Sequence, residues 1–231
     1  MATCTYNSPS STQLAATGDS LYGSRICYQP FVDWAWDAYD FDKGDWDDGW
    51  GWDDCCNARK PLARTFNAIW ILAYSALDYQ NDSYSNDCLH WACRYTRECI
   101  DELDARCGDG GAVAATRYGF LIDNWTQLYL AFFYSRAASE RMSTLMHEAR
   151  HADWVGHNSK FPSWSAYGSG KSGADSSWGY EGAWMYQALY LWWFAVEGQR
   201  TSKALRDLAK NLGNVIIDNA FATHPGYEIV N

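Results

Sequence analysis

PLARTFNAIWILAYSAL, residues 61–77, is the stretch that decides the fold class. Leu62, Phe66, Ile69, Trp70, Ala73 and Leu77 recur at the spacing of one helix face. Pro61 opens the run, where a missing N–H costs a helix nothing. Going outward, residues 88–106 read as a second helix with Cys88, Trp91, Cys99 and Leu103 toward one side. Gly108, Gly110 and Gly111 end it. Ala112 to Ala138 reads as largely helical on the strength of Phe120, Leu121, Trp125, Leu128, Leu130, Phe132 and Phe133. Ser139 begins a separate helix, SERMSTLMHEARHADW. A strongly apolar helix covers Tyr180 to Val196, and a last one Thr201 to Ala220. Period 3.6 suits these segments better than period 2, so the expected class is mainly α.

The remaining chain reads as loops. Residues 1–33 are Ser/Thr/Gly/Pro-rich without a stable period, and residues 33–57 form an acidic aromatic stretch too rich in Asp and Gly for a long helix. Residues 156–179 form a long Gly/Ser-rich loop, of the kind that often carries function. No linker divides the chain. Residues 1–231 therefore read as one domain, with an irregular N-terminal region at 1–57 and a helical core at 58–231.

Composition narrows the function classes. A net charge of −10 demotes nucleic-acid binding, which needs a basic face. The most apolar run, Ala188 to Val196, is too short to span a bilayer. Eight cysteines, an even count with no CxxC pair, favour disulfides and an oxidising compartment over a cysteine zinc site. The chain is therefore expected to be secreted or periplasmic. Met1 to Gly18 lacks an apolar signal core, so a secreted protein would here be read in its mature form. Oligomeric state is not legible.

The chemistry lies in LMHEARHADWVGH, residues 145–157. Four residues advance a helix by about 400°, so His147 and His151 point within roughly 40° of each other, one turn apart. Two imidazoles so placed can grip one Zn²⁺. Glu148, about 100° round from His147, is positioned to work on a water at the ion without ligating it. The bland alternative is a chance grouping on an exposed helix. With only five histidines in the chain, chance is a poor explanation.

HEARH resembles the active-site helix of the zincin metallopeptidases, and HEARHADWVGH resembles the metzincin pattern HExxHxxGxxH. The resemblance covers the motif helix and its exit. It implies zinc ligands His147 and His151, Glu148 as general base, and a peptide or protein substrate. His157 falls at the position of the third metzincin ligand. On an unbroken helix it would point about 80° away from His147, so the helix must stop, and Gly156 is expected to supply the bend. Metzincins turn at a Gly where this chain has Trp154. Glu181 is the alternative third ligand, as in the gluzincin branch, where a later helix supplies a Glu.

Around these, Asp153 is expected to hold a ligand imidazole by a hydrogen bond. Tyr167 and Tyr180 are candidate oxyanion donors, and Arg150 a candidate for a substrate carboxylate. Asp40, Asp42, Asp45 and Asp47, in DFDKGDWDDGWGWDD, are candidates for a structural Ca²⁺, without matching an EF-hand. Two rival readings stand beside the zinc hydrolase. Glu148-x-x-His151 also fits half of a carboxylate-bridged di-iron site, although no second ExxH exists in the chain. The Trp-rich acidic stretch would also suit a non-enzymatic binding module.

Overall fold

The computed structural model describes residues 7–42, 54–76, 88–107, 112–119 and 122–230. Leu77, Gly108, Gly110, Gly111, Phe120, Leu121, Asp45 and Asp47 lie outside the described residues. The fold is mainly α. Near the N-terminus come α1 (Ser11–Ala16), a 3₁₀ turn (Gly23–Cys27) and α2 (Gln29–Ala38). The expectation of an irregular 1–57 is corrected at α2, which starts with Pro30 in its first turn and buries Phe31 and Ala35, one turn apart. Cys27, from the 3₁₀ turn, is disulfide-bonded to Cys56, a few residues ahead of the next helix.

That helix, α3 (Pro61–Tyr74), is buried nearly all round, from Leu62 through Leu72, which makes it a central helix rather than a surface one. α4 (Cys88–Cys99) follows. The second helix therefore stops earlier than expected, and residues 102–105 are strand β1 (Glu102–Ala105).

The largest correction falls on Ala112 to Ala138. It is not one helical segment but a hairpin, β2 (Ala114–Gly119) and β3 (Ile122–Leu128), followed by the short α5 (Leu130–Tyr134). The sheet order is β1-β3-β2, with β1 parallel and β2 antiparallel to β3. Thr116 faces Thr126 in the register, and Arg117 faces Trp125. β-branched and aromatic residues suit such cross-strand pairs, and that preference outweighs the apolar run length.

α6 (Ala138–Ala152) carries the motif. Glu140 caps its start by accepting the Ala137 N–H at 2.8 Å. Its first turns are pinned inside the protein. Buried Asp19 accepts from Arg141 of α6 and from Arg64 and Asn67 of α3, the last two at 3.0 and 3.1 Å. Beyond α6, the expected long loop contains a small antiparallel pair, β4 (Ser159–Lys160) and β5 (Ser172–Ala174), and a 3₁₀ turn (Trp178–Tyr180). α7 (Ala183–Glu197) and α8 (Lys203–Asn219) pack together and against α6. α8 is amphipathic, burying Leu205, Ala209, Gly213, Ile216 and Ile217 on one face. A continuous core cluster runs from Tyr22 to Ile229 and includes Leu145, Met146 and Ala149 of the motif helix. No helix among the described residues is long and apolar enough to cross a membrane.

Candidate metal centre

His147 and His151 project from successive turns of α6, with ring centroids 4.8 Å apart. The helix then ends in a Schellman turn: Trp154 N–H donates to the His151 carbonyl at 3.0 Å and Val155 N–H to the Arg150 carbonyl at 3.3 Å. The left-handed residue of that turn is Trp154, at φ +63°. Gly156, expected to make the bend, is not among the positive-φ residues. The bend thus comes at the position where metzincins have Gly, and here a tryptophan holds it against the side-chain strain of that conformation. Tyr180 fastens the far side, its hydroxyl donating to the Gly156 carbonyl at 2.8 Å.

The turn brings His157 back to the other two rings, with centroids 5.2 Å from His147 and 4.6 Å from His151. One ligand-capable atom from each of the three histidines lies within 4.8 Å of the others. No carboxylate belongs to this group among the described residues, unlike a carboxylate-bridged di-iron site.

Each imidazole is oriented through Nδ1. His147 Nδ1 meets Gln187 Oε1 at 3.0 Å, His151 Nδ1 the Val155 carbonyl at 2.8 Å, and His157 Nδ1 the Asp175 carboxylate at 2.9 Å. A carbonyl and a carboxylate can only accept, so His151 and His157 donate from Nδ1. Gln187 behaves likewise, because its Nε2 donates to Ser143 Oγ at 3.1 Å, which turns Oε1 toward His147. All three rings therefore keep Nε2 as the lone-pair nitrogen, the tautomer a metal ligand needs. Burial holds the His147 pKa well below its ordinary value, reinforced by His151 and His157. Burial also lowers His151, followed by the effect of His157. With each Nδ1 engaged, the Nε2 sides are left free for a ligand, and the three rings form a group that could hold a metal ion.

Glu148 lies beside this cluster and is 5% exposed. Burial raises its carboxyl from 4.5 to about 7, while the Thr116 hydroxyl, donating to Oε2 at 2.9 Å, works the other way. Thr116 belongs to β2 and is backed by Thr126 Oγ1 at 2.8 Å. The sheet therefore fixes one carboxylate oxygen, Oε2. A cavity of about 420 Å³ opens next to His147 and Glu148. Val113 and Ala114, at the start of β2, form one wall, and Phe161, Tyr167 and Trp184 another. Trp184 stacks on His157 and Tyr167, and its indole N–H donates to the Gly173 carbonyl at 2.7 Å.

Several expected residues stand elsewhere. Asp153 does not hold a ligand ring: its carboxylate accepts from Arg150 at 2.7 Å and from the Tyr95 hydroxyl at 3.0 Å, on the outer side of α6. Arg150 is occupied by that contact, by the Glu181 carbonyl at 2.8 Å and by the Tyr186 ring. Glu181 is exposed, caps the 3₁₀ turn at φ +57°, and is not in the ligand group. Tyr180 is committed to Gly156, whereas Tyr167 lines the cavity, where burial raises its hydroxyl to about 12. Asp40 and Asp42 are exposed, and Asp45 and Asp47 lie outside the described residues.

Asp175, Gln187 and Thr116 were not expected at the site. Gln187 had a legible signal, being a polar residue inside an otherwise apolar helix, and Asp175 is a lone acid in a Gly/Ser-rich stretch. No protein-family model, curated protein or solved structure matches the chain.

Proposed function

We propose that the chain is a zinc-dependent peptidase in which His147, His151 and His157 hold one ion and Glu148 is the general base. The observation that carries this reading is the clustering of three imidazoles, each with Nδ1 against a separate oxygen, which favours Nδ1-protonated rings with Nε2 left for an ion. Zinc in such a site supplies Lewis acidity to the scissile carbonyl and lowers the pKa of the attacking water.

The protein's own groups do the rest. Glu148 takes the water proton at Oε1 while Thr116 steadies Oε2, and then delivers that proton to the leaving amine. Burial favours the protonated form of Glu148, which suits a group that must hold and return a proton. Trp184 and Phe161 restrict water around the imidazoles. β2 is the outer strand of its sheet in the described residues and borders the cavity, so an extended peptide has a strand to pair with beside Glu148. The Cys27–Cys56 bond supports an oxidising, extracytoplasmic setting.

The test is Glu148→Gln. Zinc content should remain one per chain, while hydrolysis of an unstructured protein such as casein should fall by about 10²-fold or more. Undiminished turnover in the variant would remove Glu148 from the mechanism.

A further inference from the structure

A second cavity shares no lining residue with the first. It is a shallow dish of about 530 Å³ lined by Ser24, Arg25, Tyr28, Trp70, Tyr74 and Arg200. The residues come from the 3₁₀ turn, the entry to α2, the last turns of α3 and the connection from α7 to α8.

Its aromatic surface is pre-set. Trp70 and Tyr74 stack with centroids 4.2 Å apart at 24°, and Phe31 abuts both edge-on at 4.9 and 6.0 Å. Tyr28 stands 62% exposed beside them. The buried Trp70 Nε1 has no acceptor among the described residues. Two arginines share the dish in a chain of net charge −10. Arg25 has no carboxylate partner among the described residues. Arg200 holds a left-handed backbone at φ +52°, with the neighbouring Gln199 N–H fixed to the Ser75 carbonyl at 2.6 Å. Strain kept at one exposed arginine next to an aromatic pair is the kind found at ligand sites. The Arg200 charge is near enough to Tyr74 to offset part of the rise that burial causes in its hydroxyl.

We propose that this dish binds an acidic sugar, a pyranose ring carrying a carboxylate, as one unit of a glycan. The C–H face of such a ring lies against the tyrosine and tryptophan rings. Its carboxylate takes the fork of an arginine. A peptide is the weaker fit, because the lining elements are helix, 3₁₀ turn and loop and present no sheet edge to its backbone. Nucleic acid is weaker still, since two cations cannot neutralise a run of phosphates.

The proposal is tested by calorimetric titration of the full chain with tetragalacturonate, a neutral galactan tetramer and tetraglutamate. Saturable binding of the uronate alone is expected. It should weaken by about tenfold in Arg25→Ala and again in Tyr28→Ala, both exposed positions. Arg25→Lys should recover part of the loss. Hydrolysis at the histidine site should not change. Equal binding of the neutral tetramer, tighter binding of the peptide, no saturable binding of the uronate, or unchanged affinity in the two variants would each overturn the proposal.

Discussion

Asp175 Oδ1 accepts the Nδ1 proton of His157 at 2.9 Å, while Oδ2 of the same carboxylate accepts the Trp184 N–H at 3.0 Å. One buried acid thus joins His157 to the first turn of α7. The contact leaves no room at Gly182, where an added Cβ would come within 2.4 Å of Asp175 Oδ2. Asp175→Asn cannot accept at both oxygens, so zinc affinity should drop by about 10- to 100-fold, read by competition with a chromophoric chelator. Gly182→Ala should move the affinity in the same direction. Unchanged affinity in both would mean that His157 needs no orienting partner.

The exit from α6 gives a paired prediction. Trp154 is left-handed and 58% exposed, so Trp154→Gly should relieve strain and stabilise the protein by about 1 kcal/mol in urea unfolding. Gly156 meets nothing within 4 Å where a Cβ would stand, and Gly156→Ala should change stability by less than about 0.5 kcal/mol. The opposite result, a costly Gly156→Ala and a neutral Trp154→Gly, would move the bend to Gly156.

Acid should separate the titrating groups of the metal-free protein. Burial lowers the His147 and His151 pKa values below 6.5, so between those lowered values and 6.5 the unfolded chain binds protons that the folded chain refuses. Their contribution to stability is lost as pH falls through that window. Glu148 acts in the reverse sense. Its carboxyl rises from 4.5 to about 7, so the folded state binds the extra proton, and its contribution grows as pH falls from 7 toward 4.5. Wild type should therefore gain on Glu148→Gln by more than about 1 kcal/mol between pH 7 and pH 5, measured as paired urea midpoints without metal. A constant gap would show that Glu148 titrates normally.

Asp19 is the buried anchor of α6. Asp19→Ala leaves Arg64 and Arg141 inside without their carboxylate and should cost about 3–5 kcal/mol. A loss below about 1 kcal/mol would show that α6 is held mainly by its apolar face.

The site was legible wherever a local period carried it. His147, Glu148 and His151 follow from helical spacing, and α8 buries one face at the same period, whereas α3 is buried nearly all round. His157 was legible by its count from the motif, but its path was not, because the bend depends on a backbone state that Trp154 rarely adopts. The orienting groups were hidden by distance along the chain. Asp175 is 18 residues from His157, Thr116 is 32 from Glu148, and Gln187 is 40 from His147. Asp153 was the local guess for the orienting acid, but Arg150, three residues before it, takes its carboxylate. The hairpin of β2 and β3 was missed for a related reason. Strand pairing is non-local, and Thr116, Trp125 and Thr126 declare it only once they face one another.

The central claim is that three histidines hold one catalytic ion, and anomalous scattering at the zinc edge tests it most directly. Crystals grown with zinc should show a single peak at about 2.1 Å from the Nε2 atoms of His147, His151 and His157, with no other protein ligand. No peak there, or an ion held by Glu181 instead of His157, would contradict it.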